Sequence, residues 1–284
     1  MKMKTWAVIA LSAAGSVAIA RPPVTVSLPA SHDNTLFDYG TSAPDLSNGA
    51  GDSMFVGSTT TNGVRRGLVM FDLSSIPAGS TVTSATLSLT CTRVKVRFAS
   101  PATLYRVSAS WGEAGSDSAG TGAGGAAQPG DATWTYRFYS DTSWTTPGGD
   151  FAAASSASIP VAQAGLYAWS GAGVTADVQS WVNAPASNFG WILLGEETTS
   201  GNVKVFATRE YFDPAATPSL SITYTPPCVG DVNHDGVVNT LDLGTLLSHF
   251  GQSVPAGTLG DLNNDGVVNT LDLGTLLSHF GSSC

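Results

Sequence analysis

The chain has 284 residues, only 12% of them charged, and a formal net charge of −9. Six of its 21 acidic residues lie between Cys228 and Cys284, where there is no Lys or Arg, which leaves fifteen acids against twelve bases before them. Neither part has the basic surface that nucleic acid requires. The 32 glycines, with abundant Ser and Thr, suit short strands joined by turns, so the expected class is mostly β.

Residues 1–20 read as a signal peptide. Lys2 and Lys4 precede an apolar run from Trp6 to Ile19, and Ala18-Ile19-Ala20 offers a small-residue cleavage site before Arg21-Pro22-Pro23. That run is short for a spanning helix and no other stretch is apolar enough, so no transmembrane segment is expected after cleavage. Export places the chain outside the cell or at its surface, where thiols oxidise and calcium is plentiful.

Residues 24–224 form the first expected domain. Period-2 alternation recurs at residues 84–91, Val94 to Phe98, Leu104 to Val107, Val203 to Phe206 and Leu220 to Tyr224. Two packed antiparallel sheets would bury these faces. Val174, Val178, Trp181 and Val182 have helical spacing and predict one short helix. The Gly/Ala/Ser-rich stretch 115–130 reads as a long surface loop. Cys91 shares the inward phase of Leu87 and Leu89 and is expected to be a buried free thiol.

Gly67 to Gly79, with Val82 to Leu87 after it, resembles the opening signature of DNRLRE-type domains. Asp177 to Val182, Asn188 to Leu194 and Phe206 to Tyr211 follow in the order of that family's later elements. The resemblance implies a jelly-roll-like β-sandwich of secreted proteins, some of them similar to carbohydrate-binding modules. Phe71, Ile76, Leu87, Trp181 and Trp191 read as its core.

A glycan site needs exposed flat aromatics beside directional polar groups. Trp134, Tyr136 and Phe138 alternate as an inward strand face would, whereas Tyr139 and Trp144 break the phase and are the candidate ligand-binding residues. His32-Asp33-Asn34 and Glu196-Glu197 are polar clusters that either sit in turns or hold calcium. No nucleophile or metalloprotease string occurs, and His32 is the sole histidine before the tail, so no catalytic residue is assigned.

The tail, 228–284, carries the most specific signal. Residues 230–251 recur at 260–281 with two changes, Val232 to Leu262 and His234 to Asn264. Loops 231–242 and 261–272 place oxygen-bearing side chains at positions 1, 3, 5, 9 and 12: Asp231, Asn233, Asp235, Asn239 and Asp242, then Asp261, Asn263, Asp265, Asn269 and Asp272. Gly236 and Gly266 stand at position 6, and the carbonyls of Val237 and Val267 at position 7. This is the spacing of a 12-residue loop that wraps a hard cation, and three carboxylates in one loop repel each other without one. Leu243, Leu246, Leu247 and Phe250, and their copies at 273, 276, 277 and 280, predict one amphipathic helix after each loop, stopped by Gly251 or Gly281. Pro226, Pro227 and Gly230 preclude a helix before the first loop.

This loop-plus-helix duplication resembles the type I dockerin. The resemblance implies two Ca2+ ions, a pseudo-two-fold helix pair and a cohesin-type partner. It carries partner contact onto Thr240, Leu241, Ser248 and His249, and onto Thr270, Leu271, Ser278 and His279. Cys228 and Cys284 bracket the duplication, whose ends should meet, so a disulfide between them is expected.

The sequence thus predicts a mainly β sandwich, jelly-roll-like, joined to a small α calcium-binding module of two loop-helix repeats. The reading is a secreted, noncatalytic protein of carbohydrate-binding or structural role, with polysaccharide as the candidate ligand. The alternatives are a polysaccharide-degrading enzyme carrying the same module and a calcium-stabilised surface protein.

Overall fold

The computed structural model describes residues 22–40, 45–61, 63–96 and 98–284. The expected signal peptide lies outside these residues. The described chain divides between two compact units, Pro23–Pro226 and Pro227–Cys284.

The first unit is an antiparallel β-sandwich with barrel-like closure. The strand Thr81–Val94 shows why the alternation mattered: Val82, Ala85, Leu87, Leu89 and Cys91 are buried while the Ser and Thr between them are not. It pairs with Ser219–Thr225, Lys204–Ala207 and Gly165–Ser170 in one sheet. In the second sheet, Val64–Phe71 lies between Val24–Phe37 and Trp191–Leu194, followed by Ser100–Val107 and Phe151–Val161.

The strand Val24–Phe37 belongs to both sheets. Its first half pairs with Ser219–Thr225, its second with Val64–Phe71, and the register shifts between Ala30 and His32. A bulge bends a strand and re-aims the side chains beyond it, here His32, Asp33 and Asn34.

The main core draws on both sheets and on the helix α1, Ala172–Asn183, which buries Val174, Val178, Trp181 and Val182 as its spacing predicts. Trp181 and Trp191 meet edge to face, with centroids 4.5 Å apart. Phe71, Ile76 and Leu87 are buried with them, and Cys91 is a buried free thiol whose pKa burial pushes up.

Two expectations need correction. Val94 to Phe98 is not a strand: Val94 ends the strand Thr81–Val94, the chain bends at Lys95 and Val96, and Arg97 lies outside the described residues. The stretch 115–130 is not a free surface loop. Ser116 and Ser118 are buried, Ser116 Oγ accepts from Gly49 N at 3.0 Å, Asn48 Oδ1 accepts from Ser118 N at 2.7 Å, and Gly125–Ala126 pairs with Leu46–Ser47. Side-chain hydrogen bonds fasten a segment that has no apolar anchors.

The second unit holds two nine-residue helices, α2 (Thr240–Ser248) and α3 (Thr270–Ser278). Each starts in a capping box: Asn239 Oδ1 accepts from Leu241 N and Asp242 Oδ2 from Asn239 N, with Asn269 and Asp272 repeating the pattern. Their C-caps are His249 and His279; the expected glycine caps stand two residues further on, in left-handed conformation at φ 81° and 83°.

The core of this unit is Val238, Leu246, Val268 and Leu276, with Leu243 and Leu273 partly buried against it. The predicted apolar stripe is therefore only half right. Leu247, Phe250, Leu277 and Phe280 are exposed, because so small a core has no room for a second layer. The segment after each helix pairs with the other repeat's loop: Gly251 N donates to Val268 O at 2.7 Å, and Gly281 N to Val238 O at 2.8 Å. Cys228 and Cys284 are joined as a disulfide, with Cα atoms 5.4 Å apart.

Candidate functional site

In the first loop, Asp231, Asp235 and Asp242 bring carboxylate oxygens within 4.8 Å of one another. The backbone turn explains how. Asp231 accepts from the N–H groups of Asp235 and Gly236, and Asp235 Oδ1 from Val237 N. Asp242, fully buried, accepts from Val232 N and Asn233 N on Oδ1, which ties the end of the loop to its start. Gly236 at φ 89° and His234 at φ 60° supply the left-handed residues that the tight turn needs.

The donor set fits a hard cation. It is all oxygen, and the unit contains no Lys or Arg to balance converging carboxylates. Cys228 and Cys284 also approach Asp231, but their sulfurs are spent on the disulfide.

The second loop repeats these hydrogen bonds around Asp261, Asn263, Asp265 and Asp272. It is more open: Asp265 and Val267 are exposed, and its three carboxylates do not form an equally tight group.

Position 9 differs from expectation in both loops. The Oδ1 atoms of Asn239 and Asn269 face the helix as N-caps, and their amide groups donate to Val237 O and Val267 O at 3.2 Å. Through these bonds the asparagines orient the helix starts, and Asn269 Nδ2 also donates to Asp265 Oδ2 at 3.4 Å.

The expected partner residues divide. Thr240, Leu241 and Ser248 are exposed, as are Thr270, Leu271 and Ser278, with Leu241 at 64% and Leu271 at 65%. His249 is half-buried and His279 exposed, and the Nδ1 of each donates to a carbonyl one turn back, Thr245 O at 3.0 Å or Thr275 O at 2.9 Å. Leu247 and Leu277 are exposed beside them, and so are Phe250 and Phe280, which the sequence showed only as part of the apolar stripe.

In the β unit, the structure removes Trp144 as a ligand platform. It is 4% exposed and its Nε1 donates to Thr133 O at 2.9 Å, among Leu36, Leu68, Trp111 and Ile192. Tyr139 is half-buried, edge to face with Tyr136 at 5.5 Å. Glu196 closes a turn on Thr198, and Glu197 grips Arg66 at 2.8 and 2.9 Å.

Two grooves differ in charge. One, of about 620 Å³, is lined by Arg66, Ser108, Thr145, Thr146, Asp150 and Phe151. Its charges are satisfied: Arg66 is paired with Glu197 and lies 4.7 Å over the Trp134 ring, while Asp150 accepts from Thr145 N and Thr146 N.

The other, of about 320 Å³, is lined by Thr59, Thr60, Arg65, Arg93, Lys95 and Thr121 beside Phe55 and Val205. Arg65 is stacked 4.2 Å from the Tyr39 ring and donates to Asp38 O and Val64 O, and burial lowers its pKa. Arg93 and Lys95 contact only Gly120 O and Thr60 Oγ1, at 3.5 and 3.4 Å. Among the described residues none of these three cations is ion-paired with a carboxylate. Sequence reasoning missed this site because its residues come from separate segments, and Lys95 read as part of a strand.

Comparison with known proteins agrees with this division. Residues 25–117 match the model of carbohydrate-binding module family 96, and residues 229–280 match the dockerin type I domain. The first match covers about half of the β unit, and the DNRLRE-type label is not confirmed. Type I dockerin domains bind calcium. No curated protein matches the chain. A solved structure described as "Type II cohesin-dockerin domain from Bacteroides cellolosolvens" is 40% identical over 20% of this chain and 90% of its own, with a TM-score of 0.19, too low to carry a structural argument.

Among the described residues no helix is long and apolar enough to cross a membrane.

Proposed function

We propose that this is a secreted, noncatalytic carbohydrate-binding protein whose β unit, 24–224, holds an acidic polysaccharide and whose tail, 228–284, docks on a cohesin-type partner. The observation that carries the ligand class is the groove that presents Arg93 and Lys95 above the buried Arg65. Cations left without carboxylates, beside the hydroxyls of Thr59, Thr60 and Thr121, suit a sugar that brings its own carboxylate or sulfate.

Two calcium ions would be held by Asp231, Asn233, Asp235, Val237 O and Asp242, and by Asp261, Asn263, Asp265, Val267 O and Asp272. Bound there, calcium supplies the positive charge that lets the carboxylates converge, and so fixes both loops and the start of both helices. The exposed Leu241, Leu247 and Phe250, with Leu271, Leu277 and Phe280, then give each repeat an apolar contact face.

Affinity electrophoresis in gels containing uronate-bearing or neutral polysaccharide tests the ligand class. Retardation by the acidic polymer, weakened by salt and by Arg93→Ala with Lys95→Ala, supports it. Equal retardation by both polymers, or a variant that behaves as wild type, contradicts it.

A further inference from the structure

We propose that Asp33 and Glu210 hold a third divalent cation, calcium, inside the β unit. Asp33 follows the bulge in the strand Val24–Phe37 and is fully buried. Its Oδ2 accepts from Arg209 N at 2.8 Å, while its Oδ1, also shut off from solvent, has no partner. Glu210 is only partly buried: its Oε1 lies 2.9 Å from Arg209 Nε, while its Oε2 is shut off from solvent and has no hydrogen-bond partner among the described residues.

The single cation nearby is already spent. Arg209 donates from Nη2 and Nε to Glu113 Oε1, at 2.6 and 2.9 Å, and Glu113 Oε2 accepts from Asp33 N at 3.1 Å. Three carboxylates thus face one guanidinium, an excess of two negative charges when all are ionised. Burial raises the pKa of Asp33 and of Glu210, and the charge of Glu210 raises Asp33 further, more than that of Glu113 does. Glu113 is the partner of Arg209 rather than a ligand, since the three carboxylates do not converge as a trio.

A single proton shared between Asp33 and Glu210 would leave one of the two excess negative charges uncancelled. A divalent cation would cancel both and give each orphaned oxygen a partner. The two donors are hard oxygens; the neighbouring His32 is engaged by Ser31 Oγ at 3.2 Å and lies edge to face with Trp111. Calcium suits so irregular a pair better than magnesium, which demands octahedral geometry; water, reaching the site past the partly exposed Glu210, and main-chain carbonyls would complete its six to eight oxygens. The ion would fasten the bulged strand to the turn that follows Lys204–Ala207, beside the exposed Phe212.

All tryptophans after residue 23 lie in the β unit, so their fluorescence reports its unfolding within the full chain. Adding calcium to chelator-stripped protein should raise the tryptophan-detected Tm by about 5–10 °C at a hundredfold excess over Kd. Asp231→Asn with Asp261→Asn, which disables the tail loops, should keep the shift; Glu210→Gln and Asp33→Asn should each abolish it. A wild-type transition that calcium does not move, or one moved equally in Glu210→Gln, overturns the proposal. Should both site variants fail to fold, terbium luminescence sensitised by tryptophan in the Asp231→Asn, Asp261→Asn chain decides: a saturable one-to-one signal supports the site, and no signal refutes it.

Discussion

Cys284 donates its main-chain N–H to the Gly236 carbonyl at 2.8 Å while its sulfur is bonded to Cys228, so this one residue closes the first loop from both sides. In the second loop Val254 N donates to Gly266 O at 3.0 Å, with no disulfide beside it. The disulfide therefore fastens the first loop and not the second. Its removal by Cys228→Ser with Cys284→Ser should destabilise the tail by up to about 4 kcal/mol, the entropy of closing a loop of this length. Hydrogen exchange should then accelerate at Gly236 and Val238 more than at Gly266 and Val268. Equal acceleration in both loops would show that the clasp has no local role.

Calcium removal should unfold the tail. Its fully buried apolar core is four side chains, and nine-residue helices are marginal on their own. In EDTA the amides of α2 and α3 should lose their exchange protection and regain it when calcium is restored. Protection that survives EDTA would mean that the helices hold without the ion.

His234 offers a test with an internal control. It sits at φ 60°, where the second loop has Asn264 at φ 63°, and asparagine tolerates the left-handed region better. His234→Asn should tighten the first loop by a fraction of the roughly 1–2 kcal/mol that this conformation costs an ordinary side chain. Calcium titration of the two proteins checks it; weaker binding in the variant would point to a role for the imidazole instead.

Trp144→Ala should cost about 3–5 kcal/mol of β-unit stability, as for other buried tryptophans. Polysaccharide affinity per folded molecule should be unchanged. A large affinity loss with a normal Tm would return Trp144 to the binding surface.

How far the sequence could be read depended on whether the signal was local. The turn of each repeated loop, the α1 stripe and the alternation through Cys91 are local patterns, and each is present, with Asn239 and Asn269 turned to cap helices at position 9. The exposure of Leu247 and Phe250 was hidden because helical spacing says which residues share a face, not how large the opposing core is. Trp144 misled because its broken phase was taken as exposure, whereas an irregular segment carries it into a second cluster beside Trp111. Arg65, Arg93 and Lys95, like Asp33 and Glu210, meet only after the strands pair, and no spacing could have announced them.

The central claim is a chain that holds glycan without cutting it and is itself held through calcium. The most direct measurement captures the full chain on an immobilised cohesin in calcium, loads an acidic polysaccharide, and elutes with EDTA. The account predicts that protein and glycan leave together, with the glycan at its original length and no new reducing ends. Shortened glycan, or protein that stays bound through EDTA, would contradict it.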